Sequence, residues 1–181
     1  MEVLPKHWKA TEVGQLYNMQ LNRPTKKYNH KIGTYHLGFR IADESEAKRM
    51  LNDMHSAQIK YQKEILDSKK LDKALLSLPY HKPDYDFFYH FEPFRMNCAG
   101  WDTQKDTVFV NLPKIFDKEE KQIDHKKLKF SRTDFRFGRV FYTIDPYWNQ
   151  EGVGIILRLQ GLQFVEDLAF DSESSPSLKS A

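Results

Sequence analysis

The chain has 181 residues, 40% of them hydrophobic and 14% aromatic, and a formal net charge of +3 at pH 7. This length supports one domain with a real core and makes a second domain unexpected. The single cysteine, Cys98, excludes an intrachain disulfide and indicates a reducing, cytoplasmic compartment. The first fifteen residues contain no apolar segment of signal-peptide length, and no apolar run is long enough to span a bilayer, so we expect no membrane association.

The charge is unevenly distributed along the chain. Residues 1–41 contain seven Lys or Arg against two acids, and residues 126–139 contain six basic residues against one acid. After Trp148 the acids outnumber the bases. Basic front and middle segments with an acidic end indicate a polyanion site and a tail that opposes it.

Two short strands are predicted first, at 15–21 and 34–41, and the loop between them is basic. Its residues Lys26, Lys27 and Lys31 flank Tyr28. Such a mixture suits phosphates together with a stacked base, although the same composition also occurs in a merely solvated connection.

The clearest helix is predicted from Asp43 to about residue 70. Apolar residues recur there at spacings of three, four or seven, and Asp43 with Glu46 three residues later forms a capping signal. The recurring residues are Ala47, Leu51, Met54, Tyr61 and Ile65. We expect this helix to pack on a sheet.

The second half of the chain reads as further strands. One is predicted at 87–98, with Pro93 at an edge or bulge, and another at 107–112. Residues 117–129 are a charged excursion, expected as an exposed loop or a short helix. A β-hairpin follows, with strands at 139–144 and 153–165. In all, five or six strands and one long helix fit a small closed β-barrel capped by the helix.

The hairpin turn is predicted to carry Tyr147 and Trp148 side by side, stiffened by Pro146. Both rings are then stacking candidates for nucleic-acid bases. The alternative is that one ring folds back as a lid on the core.

The segment before the hairpin mixes cations with phenyl rings, a composition that single-strand binders use. Arg132, Arg136 and Arg139 are candidates for phosphate contacts. Because Phe135 and Phe137 alternate with Arg136, the two rings share one strand face, where they either stack bases or fill the core while Arg136 meets phosphate. We expect the second arrangement.

Two other classes of function remain as alternatives. A metal-dependent nuclease would use Asp84, Asp86 and Glu92, near His81 and His90, but no metal-binding or nucleophile motif has the required spacing. An interaction module of a replication complex is the other. The sequence therefore favours a protein without catalytic activity, metal or cofactor.

A family resemblance rests on the run from Tyr142 to Asn149, YTIDPYWN, followed by Gly152-Val-Gly154 and Leu157-Arg-Leu-Gln160. Together with Gly33-Thr-Tyr35 before the long helix and the Phe-rich strand, it resembles the single-stranded DNA-binding protein of T-seven-like short-tailed bacteriophages. The resemblance covers roughly residues 12–170. It implies a mainly β OB-fold: a five- to six-stranded closed antiparallel barrel, with one long capping α-helix inserted after an early strand.

The resemblance also implies a function. It points to sequence-independent single-stranded DNA binding in phage DNA replication, recombination and repair within the host cytoplasm, with Tyr147 contributing to DNA binding. It allows a homodimer. In that family an acidic tail with an aromatic end resembles tails that recruit polymerase and helicase; residues 171–181 are only weakly acidic, so tail recruitment stays open here. We expect residues 1–170 to form the DNA-binding domain and 171–181 a disordered tail.

Overall fold

The computed structural model describes residues 4–29, 31–69, 74–130 and 134–168. Arg132 and the tail at 171–181, both subjects of predictions above, lie outside these residues. The described elements, in chain order, are β1 (Lys9–Ala10), β2 (Gly14–Thr25), β3 (Thr34–Ile41), α1 (Glu44–Lys69), β4 (Tyr80–His81), β5 (Tyr89–Asn97), β6 (Ala99–Asp102), β7 (Thr107–Val110), β8 (Lys114–Phe116), the 3-10 helix η1 (His125–Lys127), β9 (Arg136–Trp148) and β10 (Val153–Phe164).

The hairpin of β9 and β10 lies at the centre of the sheet. The two strands pair antiparallel from Gly138 opposite Phe164 to Trp148 opposite Val153. β9 also pairs antiparallel with β1 and with β2, whereas β10 pairs in parallel with β5 and with β8. β3 joins β2 to β5, and β4 adds to β5. β6 and β7 form a separate two-stranded sheet.

The sheet is mixed, so the prediction of a purely antiparallel arrangement is wrong. A long connection separates β5 from β10, and such a connection is what lets two strands run parallel side by side. The prediction of five or six strands is also too low, because ten are present in the described part of the chain. The extra ones are short: β1 and β4 contain two residues each, too few for a period-two pattern.

The strand predicted at 34–41 is confirmed with the same bounds, and the one at 15–21 extends from Gly14 to Thr25. Those predicted at 87–98 and 107–112 are confirmed as the shorter β5 and β7. The ladder between β3 and β5 shifts register between Leu37 and Phe39, opposite the stretch of β5 that contains Pro93. Pro93 therefore lies at a bulge, one of its two predicted positions.

Tyr147 and Trp148 belong to strand β9, so the prediction that they lie in the turn is wrong. The turn is formed by residues 149–152: the amide of Asn149 donates to the carbonyl of Gly152 at 3.0 Å, and the Asn149 side chain accepts from the amides of Glu151 and Gly152. Pro146 fits within β9 because the described ladder at that point joins β9 to β10 alone, so the missing N–H interrupts no bond to a third strand.

Helix α1 begins directly after its predicted cap. The Asp43 carboxylate accepts from the amide of Glu46 at 2.7 Å, which satisfies one of the free N–H groups of the first turn. Glu46 lies three residues on, as in a capping box, but its carboxylate accepts instead from the amide of Glu12 at 3.1 Å and pairs with Arg49 at 2.6 Å. The helix start is thereby tied to the chain segment before β2.

The helix packs against β3, β9 and β10. Its inner face contains Ala47, Met50, Met54 and Ile65, all buried. The predicted apolar stripe is confirmed at Ala47, Met54 and Ile65, whereas Leu51 and Tyr61 are only partly buried and Met50 takes the fully buried place next to Leu51.

Gln58, a buried polar residue of α1, joins the helix to the start of β10. Its side-chain amide donates to the carbonyls of Leu76 at 2.8 Å and Val153 at 2.7 Å. The backbones of 74–76 and Val153 also bond directly, Leu76 N to Val153 O and Val153 N to Ala74 O, both at 2.8 Å. Since a buried amide without partners is costly, this set of bonds fixes the segment after the helix against the hairpin.

Large side chains from β2, β3, β5, β9 and β10 fill the core. The fully buried ones include Leu16, Phe39, Phe91, Phe94, Tyr142, Leu157 and Phe164. No helix in the described ranges combines the length and the apolar character needed to cross a membrane.

Replacing Asp43 by Ala should lower the free energy of unfolding by about 1 kcal/mol, because the amide of Glu46 loses its acceptor. Urea unfolding followed by circular dichroism measures the change. Asp43→Ser is the matched control and should retain most of the stability, since a hydroxyl can accept the same bond. Equal losses in both variants would show that the hydrogen bond contributes nothing.

Candidate nucleic-acid interface

Two arginines face each other across neighbouring strands on the outside of the sheet. In β5, Arg95 lies between the buried Phe94 and Met96; in β10, Arg158 lies between the buried Leu157 and Leu159. Because successive side chains of a strand alternate between faces, both arginines point away from the core. The parallel ladder sets Arg95 directly opposite Arg158.

The Arg95 guanidinium is half-buried and lies near Arg158 and two tyrosines, Tyr28 and Tyr147. Its burial and the nearby charge of Arg158 lower its pKa, while Tyr147 and Tyr28 act in the opposite direction. One of its nitrogens, Nη1, donates to the carbonyl oxygen of Tyr28 at 3.4 Å. Arg158 Nε donates to the Asp145 carboxylate at 2.9 Å, which balances part of the local positive charge.

The loop between β2 and β3 folds over this surface. The Tyr28 ring packs edge-on against His36 of β3, with ring centroids 4.9 Å apart, and Lys27 Nζ lies 5.0 Å from the centre of the Tyr28 ring. Lys26, Lys27 and Lys31 are exposed. The loop predicted to bind phosphates thus presents three exposed lysines, one of them with its ammonium group over a half-buried aromatic ring.

His36 lies beneath Tyr28 and opposite Arg95 in the ladder. It is buried, and Nδ1 has no hydrogen-bond partner among the described residues. Burial, with a smaller contribution from Lys27, lowers its pKa to about 4. The imidazole is therefore uncharged at physiological pH and adds no positive charge to the floor of the surface.

Tyr147 is held in position by a glycine on the neighbouring strand. It pairs with Gly154 of β10, and a Cβ atom at Gly154 would lie 2.4 Å from the Tyr147 ring. The ring therefore lies over the bare backbone of Gly154. Tyr147 and Trp148 are both half-buried, so each of the two side chains is neither fully exposed to solvent nor part of the core.

Five of these residues form a continuous surface across β3, β5, β9 and β10. We call it the Arg-Tyr face: Tyr28, His36, Arg95, Tyr147 and Arg158. Both tyrosines are among the site residues predicted from the sequence, whereas the two arginines are not. The sequence signal that could identify these arginines is a single cation between apolar residues of a core strand, as in Phe94-Arg95-Met96 and Leu157-Arg158-Leu159.

Arg136 and Arg139 lie at the other end of β9. Arg139 and Tyr147 are eight positions apart, which is about 26 Å of extended strand. Arg139 is exposed, whereas Arg136 Nη1 donates to the carbonyl of Phe135 at 2.9 Å and its guanidinium lies 5.4 Å from the Phe130 ring. The structure therefore does not bring these two arginines next to the tyrosines.

The expectation that Phe135 and Phe137 fill the core is wrong: their side chains are 47% and 46% exposed. Val140 and Tyr142, at even positions of β9, are in the core, and the odd-numbered Phe137 lies on the other face; Phe141 shares that parity but is buried next to Phe116 of β8. The Arg40 guanidinium lies 4.4 Å from the Phe135 ring and 4.5 Å from that of Phe88.

The residues proposed for a nuclease have other partners. His90 Nε2 lies 3.0 Å from the Asp86 carboxylate, Arg40 pairs with Asp86 at 3.6 Å, and His81 lies 3.9 Å from Glu92. Among the described residues, no three His, Cys, Asp or Glu side chains form a group that could hold a metal ion.

No family model matches the chain, and no curated protein matches it. Solved structures do, among them single-stranded DNA-binding proteins of two bacteriophages. The chain aligns with the crystal structure of gp2.5, a single-stranded DNA-binding protein encoded by bacteriophage T7, at a TM-score of 0.76 and 15% identity, over 94% of this chain and 97% of that one.

A second similar structure is the single-stranded DNA-binding protein of bacteriophage Enc34 in complex with single-stranded DNA, with a TM-score of 0.59, 10% identity, and coverage of 92% of this chain and 90% of that one. A C-terminally truncated form of the Enc34 protein matches equally well, over 91% and 88% of the two chains. The resemblance predicted from the sequence is thus confirmed at the level of the fold.

The neutral state of His36 should make stability depend on pH. Unfolding lets His36 take up a proton between pH 6.5 and about 4, so the free energy of unfolding should fall as the pH falls through this range, by up to about 3 kcal/mol. In His36→Gln this part of the loss should disappear, which urea unfolding at a series of pH values measures. His55→Gln, at an exposed position of α1, should behave as wild type. Identical pH profiles for wild type and His36→Gln would contradict a neutral His36.

Proposed function

We propose that the protein coats single-stranded DNA without sequence preference, in phage-type DNA replication, and that it has no catalytic activity. The single observation that carries this proposal is the Arg-Tyr face, where two opposed arginines lie between two tyrosines. Cations that follow the backbone, next to rings on which any base can stack, are the elements of sequence-independent single-strand binding. The resemblance extends the role to recombination and repair.

We also propose that the strands form a closed OB-fold barrel. The pairings support it: β2, β3, β5, β10 and β9 pair in that order, and β9 pairs again with β2. Helix α1 follows the second strand of this ring, as the resemblance implies. In OB-folds, oligonucleotides bind on the face around the second and third strands and the loops beside it. Here that region corresponds to β3, β5, the loop with Tyr28 and the hairpin with Tyr147.

Each site residue in the described part of the chain has a proposed role. Lys26, Lys27, Lys31, Arg95 and Arg158 contact phosphates. Tyr28 and Tyr147 stack bases on the Arg-Tyr face, and Trp148, on the other face of β9, stacks a base at the end of the hairpin. Arg136 and Arg139 extend the basic surface along β9, beside the half-exposed rings of Phe135 and Phe137. None of these groups reads a base edge by a fixed donor and acceptor pattern, which is why we expect little sequence preference.

The solved Enc34 protein contains bound single-stranded DNA, and this supports the same ligand here. We propose that residues 1–170 are the DNA-binding domain. We also propose a replicative polymerase and a helicase as partners, on the basis of the resemblance alone. The contacts of Asp86 and Glu92 with Arg40, His90 and His81 give both carboxylates structural roles, and no observation favours a nuclease.

Replacing Tyr147 by Ala should weaken binding of an oligothymidine strand about 5- to 150-fold, because one base loses its stacking partner. The salt dependence should stay constant, since the ring carries no charge. Fluorescence anisotropy over a salt series measures both quantities. Tyr147→Phe should bind nearly as wild type, and so should Tyr85→Ala, which removes an 89% exposed tyrosine outside the Arg-Tyr face. If Tyr147→Ala melts far lower yet binds normally when folded, the stacking role fails.

Substitutions in two matched pairs of arginines test which path the DNA backbone follows. Replacing Arg95 and Arg158 together by Gln should reduce the slope of log affinity against log salt by about 1.4, since each phosphate contact on a single strand contributes about 0.7. Replacing Arg136 and Arg139 by Gln removes the same charge from the far end of β9 and should change the slope less. The opposite ranking would show that the strand follows β9 instead of the Arg-Tyr face.

A further inference from the structure

Strands β6 and β7 form an arm, residues 99–110, that leaves the sheet after β5. Its two faces differ. Trp101 pairs with Val108, and Ala99 with Val110, so one face of the arm is apolar and open to solvent, with Trp101 55%, Val108 64% and Val110 74% exposed. Phe109 pairs with Gly100 on the opposite face.

The Phe109 face turns toward the sheet and closes a pocket of about 240 Å³. Asn97 of β5 and Gln160 of β10 line this pocket together with Met96 and Leu159, and Arg158 also contributes to its wall. Asn97 and Gln160 each lie two residues beyond the opposed Arg95 and Arg158, and both line the pocket together with Arg158 itself. The pocket is therefore a direct continuation of the Arg-Tyr face.

Gly100 fixes the position of the Phe109 ring. A Cβ atom at residue 100 would lie 2.4 Å from the ring and 2.8 Å from a second of its atoms, so the phenyl group rests on the bare backbone of the paired strand. This leaves the Phe109 side chain 42% exposed, with part of its surface available to a ligand. An aromatic wall, carboxamide side chains and a guanidinium suit a flat heterocycle with hydrogen-bonding edges.

We propose that this pocket holds one nucleobase of the bound strand, stacked on Phe109, while the adjoining phosphates lie against Arg95 and Arg158. The proposal rests on the proposed function, because it requires a strand on the Arg-Tyr face. It adds a base subsite on the arm, separate from the rings of Tyr28 and Tyr147. The backbone thus passes from the arginine pair toward the arm, with one base turned inward between the arm and the sheet.

The test compares two labelled strands of about 16 nucleotides, a length that covers one OB-fold site: oligothymidine and a fully abasic strand with the same phosphates. Phe109→Ala should weaken binding of oligothymidine about 5- to 150-fold and leave binding of the abasic strand unchanged, because only the stacked base is lost. Gly100→Ala, which keeps the phenyl group but displaces it, should weaken oligothymidine binding in the same direction. Phe109→Trp should restore it.

Val110→Ala is the matched control, since it shortens an exposed side chain on the other face of the arm and should leave both affinities at the wild-type values. Thermal melts followed by circular dichroism establish that each variant is folded. Oligothymidine binding that is unchanged in both Phe109→Ala and Gly100→Ala would overturn the pocket while the proposed function stands. If the wild-type protein binds neither strand, the proposed function fails, and the pocket with it.

Discussion

The antiparallel pairing of β9 with β10 is the constraint on which the rest of the structure depends. Its register, from Gly138 opposite Phe164 to Trp148 opposite Val153, sets which side chains of both strands enter the core. Through β10 it positions β5 and β8, and through β9 it positions β1 and β2. Because side chains around this point alternate between the two faces, a shift of one residue would turn Leu157 outward and Arg158 into the core.

This pairing also explains how a chain with a net charge of only +3 presents a basic surface. Arg95 and Arg158 come from strands that are far apart in sequence, and neither lies in a cluster of basic residues. The ladder brings them together, while Asp145 offsets part of their charge through its bond to Arg158. The positive charge of this surface is therefore a local property set by strand order, which the overall composition does not reveal.

The sequence predicted the features that depend on local patterns. The cap at Asp43, the helix and the strand at 34–41 follow from spacings within one segment, and the structure confirms them. The parallel partner of β10 and the opposition of Arg95 and Arg158 depend on a pairing between distant segments, which no local period contains.

The sequence places Tyr147 and Trp148 in the turn because Pro146 is typical of a turn; in the structure the proline lies in a stretch of β9 that pairs with β10 alone. For Phe137 parity in the sequence does not decide, because the three consecutive residues Val140, Phe141 and Tyr142 are all buried; Phe141 is covered by Phe116 of β8, a partner from a distant segment.

The bonds around Gln58 have a consequence for ligand affinity. They hold the start of β10 to the helix and to the segment at 74–76, and the Asn149 side chain closes the adjoining turn. With Gly154 beneath its ring, Tyr147 is therefore preorganised before any ligand arrives. A binding surface that is ordered in advance loses less conformational entropy on association. An amide buried on the opposite side of the hairpin can thus raise affinity without touching the ligand.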